Sequence, residues 1–167
     1  MRRRLLLALA AALPAPALAQ RPRPTTQGPL GHLSRLIGSY DYDAVFRDPA
    51  VARALGAMLG AEGVRRLRGN TQVATPIAFD GAWLVLRGIA PHSGGSEEAI
   101  LAVQPSSGKV EAAILSGNRI LNVSQEARGS GSEMVNAWIA ERSQGGRVPV
   151  EFRQTAAAAP APGGKPR

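Results

Sequence analysis

Cysteine is absent from this 167-residue chain, which excludes a disulfide framework and removes the thiol that an acyl anchor needs. The fold must be held by its apolar core alone. Histidine is nearly absent as well, with His32 and His92 the two copies. No apolar run approaches the length of about 20 residues needed to cross a bilayer; the stretch at residues 5–13 is far shorter. Acidic residues are missing from both ends, since all 12 lie between Asp41 and Glu151. No G-x-S-x-G, H-E-x-x-H or P-loop occurs, so the local signatures of serine hydrolases, zinc peptidases and phosphate-cradling loops are missing too.

What is present at the amino terminus reads as an export signal. Arg2, Arg3 and Arg4 form a basic region, residues 5–13 an apolar one, and Ala17-Leu18-Ala19 a small-residue cleavage site. Residues 1–19 are predicted to be removed after Ala19, which places the protein in the periplasm with no membrane insertion afterwards. Residues 20–29 read as a Pro-rich linker and residues 30–153 as one domain, of a size that suits a single hydrophobic core. Residues 154–167 form an Ala/Pro/Gly tail of the composition expected for disorder.

The formal net charge of +8 points towards nucleic acid until its location is examined. Three of the 20 bases stand in the signal, Arg21 and Arg23 in the linker, and Lys165 and Arg167 in the tail, which leaves 13 bases against 12 acids in the domain. The electrostatic footprint of a nucleic-acid binder is missing there, so no nucleic-acid partner is expected. One basic cluster remains, Arg65-Arg66-Leu67-Arg68. It reads as a solvated helix face with Leu67 pointing inward, in preference to a partner-binding patch.

The domain reads as α+β. Leu30, Leu33, Ile37 and Tyr40 recur at helical spacing. Asp48-Pro49 is a strong helix start, and Val51, Leu55, Met58 and Leu59 make an apolar stripe closed by Gly60. A second short turn holds Val64 and Leu67 before Gly69-Asn70. Strands are predicted at residues 71–79 and 82–89 around an Asp80-Gly81 turn of type I′, at 99–104 and 109–115 around Pro105-Ser106-Ser107-Gly108, at 119–123, and at the edge at 148–152. Ser130 with Glu133 fits a capping box for a helix carrying Met134, Val135, Trp138 and Ile139. The expectation is an antiparallel sheet of about five strands with helices packed on one face.

Candidate chemistry in the domain is sparse. Glu97 and Glu98 are adjacent, and neighbours in a strand point to opposite faces, so they read as a solvated edge and not as a general acid and base. Asp41 and Asp43 flank Tyr42 without a third or fourth ligand, and a surface role outweighs a metal site. Gly129-Ser130-Gly131 could receive an anion at a helix start, but Met134 replaces the last glycine of a dinucleotide fingerprint and no βαβ unit is predicted around it. No cofactor is expected. The distinctive feature is Ile89-Ala90-Pro91-His92-Ser93-Gly94, a short loop between two strands whose tip combines a φ-locking proline with an imidazole.

Taken together, residues 42–117 resemble the inhibitor of vertebrate lysozyme (Ivy) family of small exported bacterial proteins. The matching stretches are Asp48-Pro49-Ala50-Val51, Val73-Ala74-Thr75-Pro76-Ile77, and Ala90-Pro91-His92 leading into Ala99-Ile100-Leu101-Ala102-Val103. The family's Cys-x-Pro-His-x-Cys loop reads here with proline and histidine kept and with Ile89 and Gly94 in place of the cysteines. The resemblance implies a proteinaceous inhibitor and not an enzyme. Its implied inhibitory loop is Ala90, Pro91, His92 and Ser93, and its implied partner a c-type lysozyme or a lytic transglycosylase, with a homodimer also allowed for.

Lysozyme-type glycosidases work with two carboxyl groups a few ångströms apart, one kept protonated by its surroundings and one ionised. An imidazole inserted between them can hydrogen-bond to both. Losing a disulfide around about six residues removes on the order of 2 kcal/mol of restraint on the loop, and Gly94-Gly95 adds freedom in the same direction. Two functions therefore stay open at the level of sequence: occlusion of a glycosidase cleft by Pro91-His92, or a non-inhibitory periplasmic binding or scaffold module that keeps the fold for another partner. A protruding tip fits insertion, whereas a His92 folded back against Trp83 does not.

Overall fold

A computed structural model describes residues 27–156. The predicted signal segment, most of the Pro-rich linker and the end of the tail lie outside these residues. The described part opens with a 3-10 turn, Gly31–Leu36, that buries Leu30 and Leu33, while Tyr40 of the predicted amphipathic segment stays exposed. Helix α1 (Tyr42–Arg47) follows, capped by the Asp41 carboxylate, which accepts from the Ala44 amide at 3.0 Å. Helix α2 (Pro49–Gly69) starts as the Asp48-Pro49 pair dictates: Asp48 accepts from the amides of Ala50 and Val51, and proline occupies the first turn, where no donor is needed. Gly60 interrupts α2 with a φ of 66°, so the apolar stripe ends there and a second helical stretch carries Leu67 into the core.

Among the described residues, seven strands make one sheet: β1 (Val73–Ala74), β2 (Ala78–Asp80), β3 (Trp83–Ile89), β4 (Glu97–Val103), β5 (Val110–Ser116), β6 (Arg119–Ser124) and β7 (Val150–Gln154). Their order is β1-β3-β4-β5-β6-β7, with β2 also on β3. The predicted strand at residues 71–79 is two short ones because Pro76 has no amide to give the ladder. The Tyr42 hydroxyl fills the break. It accepts from the Arg87 amide at 3.0 Å and lies 2.7 and 2.8 Å from the carbonyls of Thr75 and Arg87. The following turn pairs Asp80 with Trp83 and has positive φ at Gly81, in place of the two positive-φ residues of type I′.

Helix α3 (Glu133–Arg142) is not entered through the capping box that the sequence suggests. Its cap is Ser132, whose hydroxyl accepts from the Val135 amide, and not Ser130. The chain then returns to add β7 parallel to β6, so β6-α3-β7 is a βαβ unit that the sequence pattern does not anticipate. The remaining pairings are antiparallel.

Helices cover both faces of the sheet, not one. Leu84, Leu86, Leu101, Ala112 and Ile114 pack beneath α1 and α2 with Val51, Leu55 and Leu67. The alternate residues Trp83, Val85, Ile100, Ala113 and Leu115 meet Val135 and Trp138 of α3. The near-continuous apolar runs of β4 and β5 follow from this arrangement, since a strand buried on both sides has no polar face to alternate with.

Candidate functional site

Strands β3 and β4 pair out to Ile89 and Glu98, and the chain between them forms the loop. Its base is closed by the Ala90 amide donating to the Glu97 carbonyl at 2.8 Å. Residues 90–93 make a β-turn, with the Ser93 amide donating to the Ala90 carbonyl at 3.4 Å. Pro91 stands at the second position, which its ring suits, and His92 at the third with a φ of 59°. A positive φ at the third position is the mark of a type II turn, where glycine is the usual residue. His92 and Gln144 are the non-glycine residues with positive φ among those described.

Pro91 and His92 are exposed, and Ala90 and Ser93 half-buried. Ser93 braces the turn from inside, its hydroxyl donating to the Ala90 carbonyl at 2.9 Å and lying 3.4 Å from that of Glu97. The Ser96 amide and hydroxyl both donate to the Ser93 carbonyl, at 3.1 and 2.8 Å. In place of a covalent clasp, the loop is tied by hydrogen bonds. His92 does not fold back on Trp83, which is buried at the far end of β3, about 20 Å away along a seven-residue strand.

The loop is anchored to the next turn as well. The Gly117 amide donates to the Ser96 carbonyl at 2.8 Å, and the Glu97 carboxylate accepts from the Ser116 hydroxyl at 2.9 Å and the Asn70 amide group at 3.2 Å. Asn70 is buried and also reaches the carbonyls of Glu98 and Leu115. Glu98 is 7% exposed and forms a 2.7 Å ion pair with Arg142 on α3. The two glutamates are therefore not a solvated edge. They point to opposite faces as strand geometry requires, one holding the loop and the other pinning α3. Asn70, Ser96 and Ser116 escape a reading of the sequence because each looks like an ordinary turn residue; the signal that points to Asn70 is its place just after a helix-ending glycine.

The other sequence candidates separate from this loop. Asp43 pairs with Arg47 and Arg68 at 2.7 and 2.8 Å, and Asp41 is the α1 cap. Arg65 and Arg66 pair with Glu62, and Leu67 between them and Arg68 is fully buried, the solvated face that the sequence suggests. Asp80 borders a cavity of about 660 Å³, but is committed to α3 through the Ser132 hydroxyl and the Met134 amide. Beside it the Glu111 carboxylate, 1% exposed, accepts from the Ser132 amide at 3.0 Å and lies 3.4 Å from the Asn122 amide group. Burial pushes its pKa up, against the opposing pull of those two hydrogen bonds.

A family model described as "Inhibitor of vertebrate lysozyme (Ivy)" matches residues 50–160, more than half of the chain. No curated protein and no solved structure matches it.

Proposed function

Because the chain belongs to the inhibitor of vertebrate lysozyme (Ivy) family, we propose that it is exported to the periplasm and there inhibits a c-type lysozyme or a related peptidoglycan-cleaving glycosidase by inserting the Pro91-His92 tip into the active-site cleft. The observation that carries this reading is the conformation of His92, exposed at the tip and held at a φ of 59° on a hydrogen-bonded turn. A non-glycine residue in the left-handed region stores strain of about 1–3 kcal/mol, and such positions concentrate at binding sites.

The chemistry of the plug is that of donors meeting carboxyl groups. An imidazole in a two-carboxylate cleft can hydrogen-bond to each side and displaces the sugar and water that catalysis needs. No bond in the inhibitor is made or broken. Pro91 restricts the approach to the tip, and Ser93 with Ser96 keeps the turn closed, so the loop loses little freedom on binding.

Inhibition assays against a panel of c-type lysozymes and lytic transglycosylases test the proposal. Wild type inhibits at least one of them at micromolar concentration, and His92→Ala weakens that inhibition by about thirtyfold or more, as expected of a central interface contact. Full activity of every enzyme in the presence of wild type overturns the inhibitor reading and leaves a non-inhibitory binding module. Undiminished inhibition by His92→Ala overturns the plug.

A further inference from the structure

The tip alone is too small to hold an enzyme. A specific protein interface draws about 800 Å² from each partner, far more than four residues present, so a partner gripped by the loop also rests on the surface beside it. One flank of the loop is chemically distinct. Ile89, the last residue before the loop, is 37% exposed, and Val73, its direct partner in register, is 50% exposed. Opposed residues share a sheet face, so the two side chains form one apolar step. Tyr40 is the other exposed large hydrophobic among the described residues, and two of the three thus stand against the loop.

Arg87 lies two residues before Ile89 on the same face and is exposed. It borders a groove of about 340 Å³ together with Thr75, Glu98, Trp138 and Arg142. The carboxylates of that groove are already taken, because Arg142 pairs with Glu98 at 2.7 Å and with Glu141 at 2.5 Å. Among the described residues Arg87 forms no ion pair of its own, while Arg142 with two carboxylates leaves one negative charge over, so the four charges of the groove balance next to the apolar step. The two strands also lie close: a Cβ on Gly88 would come within 2.7 Å of the Val73 carbonyl, so β1 sits tight on β3 because residue 88 is glycine.

We infer that Val73, Ile89 and Arg87 form a second contact for the enzyme that receives the loop, seating the rim of its cleft while His92 enters. This rests on the inhibitor reading above. Continuity with the tip and the area that the tip lacks select that enzyme as the occupant, and Arg87, without an ion pair among the described residues, has a guanidinium to offer the carboxyl groups of its cleft.

The test measures affinity and inhibition of a sensitive c-type lysozyme by the full chain and by three variants. Val73→Thr with Ile89→Thr keeps the β-branched shape that strands favour while adding hydroxyls to the step; it binds about tenfold more weakly or worse, chiefly through faster dissociation. Arg87→Gln, which alters only an exposed head group, slows association and flattens its dependence on salt. Thermal melting of each variant accompanies the binding data, and Arg87→Gln keeps the test decisive should the threonine pair unfold. If the threonine pair and Arg87→Gln both bind as wild type does while His92→Ala loses inhibition, the flank has no role and the plug stands. If the flank variants lose binding while His92→Ala inhibits normally, the flank is upheld and the plug falls.

Discussion

At the scale of single residues, His92 combines a recognition group with a backbone conformation that its own side chain disfavours. L-residues reach the left-handed region at a cost of about 1–2 kcal/mol, a penalty glycine escapes. The imidazole and the strain are therefore separable by substitution. His92→Ala removes the ring and keeps the strain, whereas His92→Gly removes both. Both variants lose inhibition, and His92→Gly is the more stable of the two by up to about 1 kcal/mol in urea or thermal unfolding. Equal stability of the pair would show that the turn relaxes freely and that no strain is held at the tip. Pro91 is readable as a turn former from its type alone, but the positive φ of the next residue is not, because histidine, although enriched in that region over most side chains, adopts it in a minority of cases.

At the scale of elements, the start of α3 shows how a small residue can hold two layers together. Glu111 on β5 reaches across to the Ser132 amide, and a Cβ added at Gly131 would collide with the Glu111 carboxylate. Gly131→Ala therefore destabilises the fold by about 2 kcal/mol through overpacking. The loss shrinks in a Glu111→Ala background, where the carboxylate is gone; a double-mutant cycle by chemical denaturation reads that coupling, and strict additivity would count against it. From sequence the glycine looks like part of a helix cap or an anion loop. Its actual reason is the proximity of a side chain from a distant strand, which no local pattern carries. Caps are legible where the pattern is complete: Asp48-Pro49 starts α2 as read, whereas Ser132 caps α3 in place of Ser130, since serines two residues apart offer the same chemistry and only the path of the chain selects one.

At the scale of the whole molecule, two helical layers enclose the sheet and leave Glu111 deep between the sheet and α3. Its pKa lies above the ordinary 4.5 because burial disfavours the charged form. The folded protein thus holds this proton more tightly than the unfolded chain does. The resulting stabilisation is fully present below about pH 4.5 and is lost as the pH rises through the folded-state pKa. Glu111→Gln, close to it in shape, is expected to flatten this contribution, so the stability gap between variant and wild type changes with pH across that window. Unfolding midpoints measured from about pH 4 to about pH 8 check it, and a gap that stays constant with pH contradicts the assignment.

Much of this architecture is legible in the sequence by itself. The α+β class, the Asp48-Pro49 helix, the break at Gly60, the β4-β5 hairpin and the exposed Pro91-His92 tip all follow from short-range preferences: a proline's fixed φ, a capping carboxylate, short apolar runs bounded by turn residues. The tertiary structure alone decided that α3 lies opposite α2, that β7 runs parallel to β6, that Glu97 braces the loop from Asn70 and Ser116, and that Val73 comes to stand beside Ile89. Those are contacts between residues far apart in the chain, and their energy depends on packing and register, which local sequence does not encode. The chain's lack of cysteine set the problem of how its loop is held, and the folded sheet answers it with hydrogen bonds from serine and asparagine at the loop's base.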